Sequence, residues 1–229
     1  MDKIAVVTGG SKGIGRACVN ALIKDGYKVI DASRTKHSLD NANYNYFKTD
    51  VASEGDVKNL FDYVAKEFGR LDVLINNAGF GKFANLAETT TKDFDEMFAV
   101  NVRGLYLCCR YALKIMIPQN SGVIINMASI AGKSSIATAS IYSATKHAVM
   151  GLSGALMLEV RQHNIRVVKV CPGSVDTNFF DHPGSVLTSA RESILSPEDI
   201  AEACMFAINL PDNAMVSEVE LRPTNPKKK

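Results

Sequence analysis

Tyr142 and Lys146, in the string Tyr142-Ser143-Ala144-Thr145-Lys146, stand at i and i+4, a spacing that puts two side chains on one face of a helix. A phenol and an ammonium so placed suit proton transfer. A free phenol ionises near pH ~10, so a tyrosine acting as a general acid at neutral pH needs its anion stabilised. A cation one helical turn away would do this. Two unit charges about 4 Å apart at an effective dielectric of ~20 attract by roughly 4 kcal/mol, or about three pKa units before desolvation opposes them. The same spacing also fits an ordinary solvent-facing helix, so its meaning rests on the rest of the chain.

A second cluster lies at the N-terminus. Thr8-Gly9-Gly10-Ser11-Lys12-Gly13-Ile14-Gly15 follows a β-branched run and leads directly into Arg16-Ala17-Cys18. Glycines between a strand and a helix let backbone close on a pyrophosphate, and the helix N-terminus offers unpaired N–H groups and partial positive charge. A tight turn with no ligand is the alternative. The second strand ends in Asp31-Ala32-Ser33-Arg34. In a dinucleotide fold an acidic residue at that tip selects NAD, whereas a basic one accommodates the 2′-phosphate of NADP. Arg34 opens the loop, Asp31 falls within the strand, and Lys12 adds a cation in the glycine turn. The expectation is therefore NADP(H) in preference to NAD(H), against the alternative that both cations are solvated surface charges.

These groups need a scaffold, and the pattern supplies one. Ile4 to Thr8, Lys28 to Ala32, Tyr44 to Lys48, Val73 to Asn76, Val123 to Met127, Val167 to Cys171 and Glu218 to Leu221 read as strands. Helical patterns run from about Gly13 to Asp25, Ser53 to Phe68, Thr91 to Met116, Ile141 to His163 and Pro197 to Leu210, with Ser196-Pro197 a cap signal. This alternation predicts an α/β fold: one Rossmann-like doubly wound domain over residues 1–229, with a mostly parallel seven-stranded sheet and helices on both faces. Residues 176–195 mix Phe179, Phe180, Pro183, Gly184 and Ser185 without clean periodicity and read as a surface loop with one short helix.

Composition narrows the partners. With 229 residues and 46% hydrophobic content the chain can bury one large core, and 26 basic against 24 acidic residues leave a charge too small to suggest nucleic acid or a membrane surface. No apolar run reaches the ~18 residues of a membrane span and the chain enters its first strand without a signal-peptide pattern, so a cytoplasmic setting is expected. The five cysteines are odd in number and form no C-x-x-C unit, so they read as reduced packing residues. The four histidines lack ligand spacing, and no metal site is expected.

Taken in order, the motifs resemble the single-domain branch of the short-chain dehydrogenase/reductase family over essentially the whole chain. Thr8-Gly9-x-x-x-Gly13-x-Gly15 resembles its cofactor turn, Asp50-Val51 its adenine contact, and Asn76-Asn77-Ala78-Gly79 the segment closing the fourth strand. Asn101-Val102-Arg103-Gly104 resembles its helix asparagine motif, and Ser129 follows the fifth strand at the family's separation from Tyr142 and Lys146. Pro172-Gly173, Val175 and Thr177 resemble the nicotinamide-side motif. Any one of these could be structural; their joint order is specific. The resemblance implies that Tyr142 exchanges a proton with a substrate oxygen, Ser129 hydrogen-bonds that oxygen, Lys146 lowers the Tyr142 pKa and holds the nicotinamide ribose, and Asn101 completes a proton path. It also implies a cofactor site of Gly9, Ser11, Lys12, Gly13, Ile14, Gly15, Ser33, Arg34, Asp50, Val51, Asn77, Ala78, Gly79, Tyr142, Lys146, Pro172, Gly173, Val175 and Thr177.

The implied activity is reversible NADPH-dependent reduction of a ketone or aldehyde. Reduction of a 3-oxoacyl-[acyl-carrier-protein] is the alternative within enzymes, and a non-catalytic NADP(H)-binding sensor the alternative outside them. Much of the chain resembles 3-oxoacyl reductases, but the ending Glu218-Val219-Glu220-Leu221-Arg222-Pro223 resembles small carbonyl reductases of broad specificity. Phe80, Gly81, Phe83, Ile130, Lys133, Ile136, Phe179, Phe180 and His182 are the expected substrate walls. Lys82, Lys133 or His182 could meet a charged substrate group, with solvent exposure the blander reading. A small-molecule substrate and a homodimer or homotetramer built on the Thr91 to Met116 and Ile141 to His163 helices complete the expectation.

Overall fold

Short apolar strands that are buried on both faces pair in parallel, and their crossovers become covering helices. The computed structural model describes residues 2–181 and 189–227. Its strands are β1 (Ile4–Thr8), β2 (Lys28–Ser33), β3 (Tyr44–Lys48), β4 (Val73–Asn76), β5 (Gly122–Met127), β6 (Ile165–Pro172) and β7 (Glu218–Leu221). They form one seven-stranded sheet in the order β3-β2-β1-β4-β5-β6-β7, and every pairing is parallel. The expectation of a mostly parallel sheet is thus met in full.

The strand period of two divides the core. Val6, Ile30, Leu74 and Ile124 pack to one side with Leu60 of α2 (Glu54–Phe68), Leu107 of α4 (Leu105–Gln119) and Leu156 of α5 (Ser140–Val160). Val7, Val29, Ile75 and Ile125 pack to the other with Leu22 of α1 (Gly13–Lys24) and Ile200 of α6 (Pro197–Ile208). All five cysteines are free and buried in these layers. Strand order reverses at β1, between β2 and β4, which opens a crevice at the carboxyl ends of the strands.

Local signals set several boundaries. Ser53 accepts the Asp56 N–H and caps α2, and Ser196 with Asp199 forms a reciprocal cap on α6 with Pro197 in its first turn. No helix forms between β2 and β3, where the Tyr44 hydroxyl lies 2.9 Å from Asp31 Oδ2 and 3.2 Å from the His37 carbonyl.

One expectation is corrected. The pattern from Thr91 to Met116 is helical throughout but not uniformly α: α3 (Thr91–Phe98) passes into a π-helical turn over Ala99–Gly104 before α4 begins. The reason lies in two contacts that apolar periodicity does not encode. Asn101 is drawn inward to bond the Phe80 backbone, and Gly104 lies so near Val51 that a Cβ there would stand 2.8 Å from Val51 Cγ2. The 176–195 segment carries two short 3₁₀ turns, Asn178–Asp181 and Arg191–Ser193; His182, Pro183, Gly184 and Ser185 lie outside the described residues.

Candidate active site

Helix α5 turns Tyr142, Thr145 and Lys146 inward together, and all three are buried. Lys146 Nζ donates to the Met127 carbonyl at 2.8 Å and stands 5.8 Å from the Tyr142 ring centroid. Gly132 permits this packing, because a Cβ there would stand 2.8 Å from the Lys146 carbonyl oxygen. Ser129 follows β5 and caps the next turn, its Oγ accepting the Ala131 N–H at 3.1 Å.

Burial dominates the electrostatics of Tyr142 and Lys146. Burial pushes the phenol up to about 12, and a hydrogen bond with Ser129 only partly opposes this. Burial likewise pulls the Lys146 ammonium down to about 8. Burial thus works against the charged form of both groups and favours the protonated phenol at neutral pH.

Asn101 comes from the π turn and is 2% exposed. Its Nδ2 donates to the Phe80 carbonyl at 2.8 Å and to Thr145 Oγ1 at 3.1 Å, while Oδ1 accepts the Phe80 N–H at 3.0 Å. Thr145 Oγ1 in turn donates to the Tyr142 carbonyl at 2.7 Å. The sequence reading passes over Thr145, although its i+3 spacing from Tyr142 places it on the same face. Asn101 thus ties the segment after β4 to the helix that carries Tyr142.

The glycine turn lies at the crevice. Gly9 and Gly13 have φ of 67° and 55°, and a Cβ at Gly15 would overlap the Gly9 carbonyl oxygen. Thr8 Oγ1 accepts N–H bonds from Asn77 and Ala78, both at 3.0 Å, and Asn77 Nδ2 donates to the Thr8 and Gly9 carbonyls. Asn77 therefore braces the turn. Lys12, the N-cap of α1, makes no side-chain cap, so the first N–H groups of the helix face the crevice without one. Ser11 and Ile14 lie in the same turn, half-buried.

Beyond the turn, Asp50 accepts the Ala52 N–H and Val51 packs on Gly104. Arg34 and Lys12 are exposed, Ser33 is buried with its hydroxyl on the Thr35 carbonyl, and Asp31 is sealed at 0% exposure, its pKa raised by burial. Asp31 is held by Tyr44 rather than presented to a ligand. From the other side, Gly173 N–H bonds the Leu221 carbonyl, Val175 pairs with Leu195, and Thr177 lies against Gly13. A dinucleotide fits this cradle: glycines clear the backbone, the N-terminus of α1 carries no side-chain cap, and Lys12 and Arg34 are exposed.

Over Tyr142 the walls are aromatic. Phe83 and Phe179 contact its ring, and Phe80, Met97, Ala131 and Ile141 pack around them. Phe180 meets Phe179 edge-on and Ile136 is exposed. The bland reading holds for two lysines: Lys82 pairs with Asp93 and Glu96, and Lys133 with Glu218 and Glu220 of β7.

Residues 3–185 match the short chain dehydrogenase family. An uncharacterised oxidoreductase of Staphylococcus aureus is 35% identical over 97% of each chain. Among solved structures, ElxO with NADP bound superposes with a TM-score of 0.88 at 32% identity over 96% of each chain. An alcohol dehydrogenase from the archaeon Thermococcus sibiricus, complexed with 5-hydroxy-NADP, gives 0.88 at 30% identity over 98% of this chain and 97% of its own.

Proposed function

The chain belongs to the short-chain dehydrogenase/reductase family, an oxidoreductase family, and we propose that it is an NADPH-dependent reductase of a ketone or aldehyde, reversible as an alcohol dehydrogenase. The observation that carries the reading is the buried Tyr142 phenol, hydrogen-bonded with Ser129, with Lys146 one turn away on the same helix. NADPH, when bound, supplies the hydride.

Tyr142 donates its phenolic proton to the carbonyl oxygen as that oxygen gains charge. Ser129 Oγ donates a hydrogen bond to the same oxygen and stabilises it. Lys146 holds positive charge behind Tyr142 and reaches toward the ribose hydroxyls. Asn101 fixes α5 against the segment after β4, and its backbone with water passes the replacement proton inward. Gly9, Gly13 and Gly15 admit the pyrophosphate, while Lys12 and Arg34 take the 2′-phosphate. The sealing of Asp31 supports NADPH over NADH, because it leaves no carboxylate at the β2 tip to bind a free ribose hydroxyl. Engagement of Lys82 and Lys133 by carboxylates favours an uncharged substrate over an acyl-carrier thioester. Exposed Tyr106 and Leu158 on α4 and α5 support a homodimer across those helices.

The test is consumption of NADPH and NADH against aldehydes, diketones, ketoesters and acetoacetyl thioesters, with Tyr142→Phe alongside. NADPH-linked turnover that the variant loses, with cofactor binding retained, is expected. Turnover that survives in Tyr142→Phe would sink the assignment.

A further inference from the structure

The carboxyl of Asp31 is built into the space beneath the glycine turn. A Cβ on Gly10 would stand 2.6 Å from Asp31 Oδ1 and 2.8 Å from its Cγ. Gly9 and Gly13 have positive φ and Gly10 does not, so it is space, not backbone conformation, that calls for glycine there. Burial works against the ionised form of Asp31, and the Tyr44 and Ser33 side chains, the Gly10 backbone and the charge of Arg16 oppose it. The Arg16 guanidinium itself stands 5.9 Å from the Tyr44 ring centroid.

The Tyr44 hydroxyl joins this buried carboxyl to the connection between β2 and β3. It lies 2.9 Å from Asp31 Oδ2 and 3.2 Å from the His37 carbonyl, one proton shared between two acceptors. The connection, residues 34–43, forms no helix or strand, so its fixed points decide where its side chains stand. Arg34 lies between two of them. On one side Ser33 ends β2 and donates from Oγ to the Thr35 carbonyl at 3.0 Å; on the other His37 is held by Tyr44.

We propose that Tyr44 is a specificity-determining residue for the cofactor: its hydroxyl pins His37 to the buried Asp31 carboxyl and so holds Arg34 where the 2′-phosphate of NADP(H) is met. The proposal rests on the assignment of that phosphate to Arg34. Tyr44 touches no cofactor atom in this role and acts as a positioning residue. NADH carries no 2′-phosphate, so its use is indifferent to the hydroxyl. The Tyr44 ring packs on the core layer that contains Leu22 and Val29, and phenylalanine keeps that packing while losing both bonds.

Tyr44→Phe should lower the ratio of NADPH to NADH efficiency by about threefold to tenfold, the worth of one positioned hydrogen bond, through the NADPH KM and with kcat and NADH use little changed. Calorimetry, which needs no turnover, should show the same fall for adenosine 2′,5′-bisphosphate and none for adenosine 5′-monophosphate. Asp31→Asn keeps an oxygen for the Tyr44 hydroxyl and should retain the wild-type ratio. If the carboxyl left without its hydroxyl prevents Tyr44→Phe from folding, Tyr44→Phe/Asp31→Asn removes the unpaired charge and should show the same fall. An unchanged ratio in either folded Tyr44 variant, or equal losses with both cofactors, would overturn the proposal. Arg34→Asp separates the two levels. No shift there would remove the phosphate assignment and this inference with it, whereas a shift there with none in Tyr44→Phe would remove Tyr44 alone.

Discussion

Burial raises the pKa of Tyr142 and lowers that of Lys146, and the pH behaviour follows. A phenol raised to about 12 is protonated at neutral pH, the form that reduction consumes and oxidation must first lose. The phenolate fraction grows about tenfold per pH unit below that value, so alcohol oxidation should rise steeply from neutral pH upward. Lys146, lowered to about 8, carries its full charge only below that pH, so reduction should decline as pH passes through it. Profiles of kcat/KM in both directions check this; a flat oxidation limb would exclude Tyr142 as the titrating base. Arg34 is the other decisive side chain, being exposed at the β2 tip while Asp31 beside it is sealed. Arg34→Asp should weaken NADPH use by about tenfold or more and shift preference toward NADH, the loss of one charge-assisted phosphate contact. An unchanged ratio of NADPH to NADH efficiency would remove Arg34 from that role.

At the scale of elements, the π turn between α3 and α4 carries more of the site than a continuous helix could. It points Asn101 at the Phe80 backbone and at Thr145 while bringing Gly104 under Val51, so one irregular turn touches both α5 and the Asp50-Val51 segment. A methyl group at Gly104 would press on Val51 Cγ2 and on its carbonyl oxygen at 3.0 Å, and backbone yields less readily than a side-chain end. Gly104→Ala should therefore raise the NADPH KM severalfold and cost about 1–3 kcal/mol of stability, with kcat affected less. Steady-state kinetics and thermal unfolding measure both parts, and an unaltered cofactor KM would show that Val51 does not line the adenine site. The turn was not legible in the sequence, because apolar residues continue at helical spacing through Val100 and Leu105. Its cause is a hydrogen bond to a residue 21 positions away.

Across the whole molecule, the sheet order places the glycine turn after β1 beside the ends of β2 and β4, and α5 sets Lys146 on the Met127 carbonyl at the end of β5. On the outside, Leu158 of α5 is 58% exposed and Tyr106 of α4 45%, on the two helices proposed to form the dimer face. Leu158→Glu should shift the assembly toward monomer in sedimentation velocity, and an unchanged mass would place the interface elsewhere. Seven strands, most helices, the cap at Ser196 and the glycine turn were legible in the sequence, because each depends on local periodicity or on a residue's own conformational range. Tertiary structure alone decided the break at Ala99–Gly104, the link through Thr145, and the sealing of Asp31 by Tyr44. It also decided the direction of the Tyr142 pKa, since desolvation depends on everything packed around a group, whereas spacing along a helix reports only its nearest charge.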